Sequence, residues 1–108
     1  MGASQERAWS LKALPVEYAS AARLDVLESK KWYEAKEVGL GLRFAVRIGE
    51  AVERISHQPF GAPEVHRGVR RVVTKQFRHL VFYRVEAERV VILGERHERE
   101  NPTTWPES

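Results

Sequence analysis

The sequence contains no cysteine, so neither disulfides nor thiolate zinc sites can stabilise it, and small secreted folds stapled by disulfides are excluded. No apolar run approaches the roughly 20 residues of a membrane span. The stretch from Met1 to Pro15 also lacks the apolar centre of a secretory signal. A cytoplasmic location with no membrane contact is therefore expected. Internal repeats and low-complexity tracts are absent. With 43% hydrophobic and 31% charged residues the composition is that of a soluble globular chain. A chain of 108 residues is one domain in size and buries roughly two-thirds of its unfolded surface. One modest hydrophobic core must then supply the stability.

Several catalytic templates are missing too. There is no Gly-x-Ser-x-Gly elbow, no cysteine nucleophile and no Walker lysine pattern. His57, His66, His79 and His97 stand at intervals unlike paired metal ligands. Neither a metal nor a cofactor is expected. Net charge is only +3, too small an excess to argue for nucleic-acid binding. Its distribution says more: from Arg67 to Arg84 the chain carries Arg67, Arg70, Arg71, Lys75, Arg78 and Arg84 without one acidic residue. Such a basic face attracts RNA, DNA or an acidic protein surface, or simply solvates one side of a sheet.

Met1 to Ala13 shows no period and reads as an extension outside the domain, which is expected to span residues 14–108. Leu14 to Tyr18, opened by Pro15, fits a first strand near a sheet edge. Ser20 or its neighbour can cap a helix in which Ala22, Val26, Ser29 and Tyr33 recur at helical spacing up to about Val38, with Asp25 and Glu28 early enough to suit the dipole. Gly39 and Gly41 then turn the chain into a second helix from Leu42 to Ser56, with Phe44, Ile48, Ala51, Val52 and Ile55 inward. Pro59, Gly61 and Pro63 make an irregular connection. Three strand-like runs follow, Val69 to Lys75, Leu80 to Val85 and Arg89 to Glu95, in the manner of an antiparallel meander. The fold class is α+β: a strand, a helical hairpin and a three-stranded meander. The continuous apolar run Val90 to Leu93 places the last strand centrally. If both helices cover one sheet face, the other must be shielded by a partner, or by flanking strands and the tail.

Specific residues now attach to that order. Ala22, Asp25, Trp32, Tyr33, Glu34, Gly39, Leu40, Gly41 and Phe44, followed by Pro59, Val69, Arg70, Phe77, Tyr83, His97, Arg99, Pro102 and Trp105, resemble the pattern of the RelE/ParE toxin family along nearly the whole chain. The resemblance implies a growth-arresting toxin of a type II toxin–antitoxin pair, of the kind that stabilises plasmids, held as a hetero-oligomer by a cognate antitoxin protein. ParE-like members poison DNA gyrase, and RelE-like members cut mRNA on the ribosome. The Gly-Leu-Gly turn and the tail are similar to the ParE-like side, although Glu100 and Asn101 stand where that tail commonly has arginine and aspartate. A non-toxic module that only binds antitoxin is the third possibility.

If the chain is a ribonuclease, His97, Arg96, Arg70 and Tyr83 supply the chemical types: proton-transferring groups and guanidinium forks for phosphate. Arg70, Arg71, Lys75, Arg96 and Arg99 are the expected target-binding set, and neighbouring strands are expected to bring Arg70, Tyr83, Arg96, His97 and Arg99 to one end of the sheet. The same side chains also suit carboxylates or backbone carbonyls at a sheet edge. Glu95 and Glu98 flank His97 and either orient it or add solvated charge. Trp32, Tyr33, Phe77 and Trp105 read as packing residues, Trp105 pinning the tail.

Overall fold

The structure is a computed structural model that describes residues 13–100. Residues 1–12 of the expected extension and the tail positions Pro102 and Trp105 lie outside the described residues. Strand β1 (Val16–Tyr18) leads into helices α1 (Ser20–Lys36) and α2 (Leu40–His57). Strands β2 (Glu64–His66), β3 (Val69–Val73), β4 (His79–Glu86) and β5 (Arg89–His97) follow. The sheet order is β1-β5-β4-β3-β2, with β1 parallel to β5 and every other pairing antiparallel. The last strand is interior, paired on both sides by β1 and β4, as its apolar run requires, while β4 holds the centre. Strand β2 falls inside the stretch expected to be irregular.

The two helices attach for different reasons. Helix α2 buries Phe44, Ile48, Ala51 and Ile55, a stripe at spacings of four, three and four residues that lies on the sheet with Val81, Tyr83, Val90 and Ile92. Helix α1 buries only Ala22 completely. Its inward line continues through Asp25, Ser29 and Tyr33, whose polar atoms reach the sheet. Ser20 is the first helical residue rather than the cap; Ala19 holds that place without a side-chain bond, and the first turn has no acidic residue. Asp25 instead accepts a hydrogen bond from the Glu95 amide at 3.1 Å.

The helical hairpin closes tightly. Gly39 has φ of +91°, a left-handed conformation that only glycine adopts without strain. The Glu34 carboxylate accepts from the Gly39 and Gly41 amides at 3.0 Å, satisfying donors that the start of a helix leaves open. A Cβ on Gly41 would stand 2.7 Å from the Lys30 carbonyl oxygen, so glycine there sets how closely the helices approach.

Val69, Leu80, Phe82, Val91 and Leu93 form a second apolar cluster on the sheet face away from the helices, with Ala19 and Val65 at its margin. Phe82 is 2% and Leu93 3% exposed. These side chains are buried within the chain.

Candidate functional site

Adjacent residues on a strand face opposite sides, and this separates the residues the sequence singled out. His79 pairs with His97 and Leu80 with Arg96 across β4 and β5. The His97 ring stands on the helix side, perpendicular to His79 with centroids 5.4 Å apart. The Arg96 guanidinium lies 5.1 Å over Phe82 on the opposite side. Arg70 pairs with Tyr83, four residues up β4 from His79 and so roughly 13 Å along the strand. The expected convergence of all five residues on one end is therefore not what the fold produces. Tyr83 is fully buried and its hydroxyl donates to the Pro59 carbonyl at 2.7 Å. Burial raises its phenol pKa, and the nearby Arg70 charge opposes the shift. Arg70 donates to the Ala62 carbonyl at 2.5 Å and lies over the Phe60 ring. Both anchor the connection before β2.

A basic end does form elsewhere. The β3–β4 turn carries Lys75 and Arg78 beside the end of β5, where Arg78 pairs with Glu98 and the Glu98 amide donates to the Arg78 carbonyl at 3.0 Å. The hydrogen bond from the Arg78 guanidinium holds the Glu98 carboxyl below its usual range. Arg96 and exposed Arg99 stand at the same end. Arg71, opposite Phe82, is exposed farther along the face away from the helices. The turn is a set piece: Gln76, Phe77 and Arg78 all have positive φ, held by Phe77 against Tyr33 and Phe44 and by the Arg47 Nε donating to Gln76 Oε1 at 2.8 Å.

A buried polar network was not legible in the sequence. His79 and Glu95 are in direct contact at 4% and 6% exposure. Ser29 Oγ donates to the other Glu95 oxygen at 2.5 Å, and the Tyr33 hydroxyl meets His79 Nε2 at 2.8 Å. Glu95 accepts through both oxygens, so His79 Nδ1 carries a proton toward it, and Nε2 shares its hydrogen bond with the Tyr33 hydroxyl. Burial first, then the negative Glu95 and Glu100, raise the Tyr33 pKa, which keeps that hydroxyl protonated. Burial likewise raises the Asp25 pKa, against the hydrogen bond from the Glu95 amide. Among the described residues, no buried side-chain nitrogen or oxygen lacks a partner. Glu95 thus serves His79 and Glu98 serves Arg78; neither orients His97.

Above this network opens a cleft of about 340 Å³, lined by Glu28, Ser29, Trp32, Tyr33, His79, His97 and Glu100. Trp32 is 57% exposed and walls it, a correction to its reading as a core residue. His97 Nδ1 accepts from the Arg99 amide at 3.1 Å, and Glu100 Oε1 accepts from the His97 amide at 2.9 Å. Among the described residues no group of His, Asp and Glu is arranged to hold a metal ion, and no helix is long and apolar enough to cross a membrane.

A family profile described as the ParE toxin of the type II toxin-antitoxin system, parDE, matches residues 16–102. The chain belongs to the ParE toxin family. Its fold is similar to that of the chromosomal ParDE toxin–antitoxin system from P. aeruginosa, with a TM-score of 0.67 at 19% identity over 79% of this chain and 96% of that one. It is also similar to the toxin–antitoxin complex RelBE2 from Mycobacterium tuberculosis, with a TM-score of 0.57 at 20% identity over 83% and 97% of the two chains. No curated protein matches. The strand, helical hairpin and antiparallel sheet are accordingly those of a type II toxin of the RelE/ParE family.

Proposed function

We propose that this ParE-family toxin arrests growth by binding DNA gyrase through the basic end of its sheet, and that an antitoxin encoded beside it neutralises it. The observation that carries the choice of target is the dispersal of the groups a ribonuclease would need. Tyr83 is buried with its hydroxyl donated to a carbonyl, Arg70 is held by the Ala62 carbonyl, and Arg96 and His97 face opposite sides of β5. In metal-independent RNA cleavage a base must take the 2′-hydroxyl proton while an acid and a cation meet the same phosphate. Binding alone asks less. Lys75, Arg96 and Arg99 at one end, with Arg78 paired to Glu98 beside them and Arg71 beyond, leave a net cationic surface for an acidic protein target. Of these, Arg78 was not in the set expected from sequence.

Expression without the neighbouring reading frame tests the proposal. Filamentation and a DNA-damage response, relieved by co-expression of that frame, are the expected outcome. Early mRNA cleavage with loss of protein synthesis would assign the ribosome instead. Normal growth at confirmed soluble expression would leave only an antitoxin-binding module.

A further inference from the structure

The cleft beside the buried network has a chemistry opposite to the basic end of the sheet. The Tyr33 hydroxyl, hydrogen-bonded to His79 Nε2 at 2.8 Å, forms part of the cleft floor. Glu28 and Glu100 line the same space, and Glu100 uses one carboxylate oxygen on the His97 amide, leaving the other for a ligand. The indole of Trp32 supplies an aromatic wall that already attracts a cation: the chain's own Lys36 ammonium lies 4.5 Å from its centroid. Two carboxylates and an aromatic face therefore gather, beside the imidazoles of His79 and His97, in a concavity within a chain of net charge +3.

Size narrows the occupant. About 340 Å³ is near the lower limit of small-molecule sites and admits one long side chain, but no helix or strand. A guanidinium matches each feature, being planar, cationic and rich in N–H donors, with a face that stacks on aromatic rings. A lysine ammonium offers three donors and no plane.

We propose that this cleft is a receptor for an arginine side chain of the antitoxin, stacked on Trp32 and held between Glu28 and Glu100. The assignment rests on the reading above that an antitoxin is the partner. An arginine seated in the cleft would fix the register in which the partner docks.

The test uses the full chain, labelled for nuclear magnetic resonance and titrated with Nα-acetyl-arginine amide and with its neutral isostere Nα-acetyl-citrulline amide. The Trp32 indole resonance, assigned by its loss in Trp32→Phe, is expected to shift saturably with arginine and at least about ten-fold more weakly with citrulline. In parallel, calorimetry compares antitoxin affinity for the parent and for the Glu28→Gln/Glu100→Gln double variant, with thermal unfolding as the fold control. A loss of about ten-fold or more is expected. Equal shifts from both amides, or none, would overturn the assignment. So would an unchanged antitoxin affinity in the folded double variant while the parent binds tightly, and that result would leave the antitoxin reading intact. Failure of the parent itself to bind the adjacent frame's product would remove both.

Discussion

His79 and Glu95 are almost wholly buried, and each is tolerated because the other and Ser29 and Tyr33 complete its bonds. Removing one member of a buried charged or strongly polar pair leaves the rest unsatisfied, at a cost of about 3–5 kcal/mol. Glu95→Ala is expected in that range. Tyr33→Phe strands only His79 Nε2 and should cost about 1–3 kcal/mol. Urea unfolding measures both, and a Glu95→Ala variant no less stable than Tyr33→Phe would mean the network does not hold α1. Trp32 gives the contrast. With 57% of its surface exposed, Trp32→Ala should change stability by less than about 1 kcal/mol, whereas Phe44→Ala at a fully buried position should cost about 3–5 kcal/mol.

At the scale of the elements, the α1–α2 junction depends on one exposed carboxylate. Hydrogen bonds from the Gly39 and Gly41 amides lower the Glu34 pKa. A depressed folded value means that the stabilisation is complete above the unfolded glutamate pKa and is lost as pH falls through the folded one. The melting temperature of the parent should thus exceed that of Glu34→Gln near neutrality. The gap should close on acidification from about pH 5 downward, and a constant gap would assign the bond no charge dependence. The β4–β5 hairpin offers the opposite opportunity. Ala87 and Glu88 both have positive φ, 46° and 61°, the conformation of a turn that favours Asn-Gly. Ala87→Asn/Glu88→Gly should stabilise the chain by about 1 kcal/mol, read as a higher urea midpoint.

These same elements show what a sequence reveals. Helix α2 was legible because its apolar residues carry their own period, and the meander because its strands are apolar runs separated by short polar gaps. Helix α1 was placed correctly on a weaker pattern, but its attachment was hidden: Ser29 and Glu95 are 66 positions apart, and no local spacing announces such a bond. A carboxylate directly following Gly94 in an otherwise apolar interior strand was the available signal, since Glu95 in that setting requires a partner. Strand β2, only three residues long, has no period to read. The site was the least legible part. Whether Arg96 and His97 act together depends on strand alternation, and whether Tyr83 is available depends on the Pro59 carbonyl it meets.

For the molecule as a whole, the two charged regions divide the work. The basic end is assigned to the target and the acidic cleft to the antitoxin, so substitutions at one should spare the function of the other. Arg96→Ala and Arg99→Ala should each weaken target inhibition about ten-fold to a hundred-fold, as expected for loss of a charge-assisted contact, with little change in melting temperature. The most direct measurement is supercoiling by purified DNA gyrase in the presence of the purified chain and its His97→Gln variant. If the toxin acts by binding, parent and His97→Gln inhibit equally and Arg99→Ala inhibits less. If gyrase is unaffected by the folded parent, while the parent cuts ribosome-bound mRNA and His97→Gln loses that cleavage by about two to four orders of magnitude, the account is contradicted.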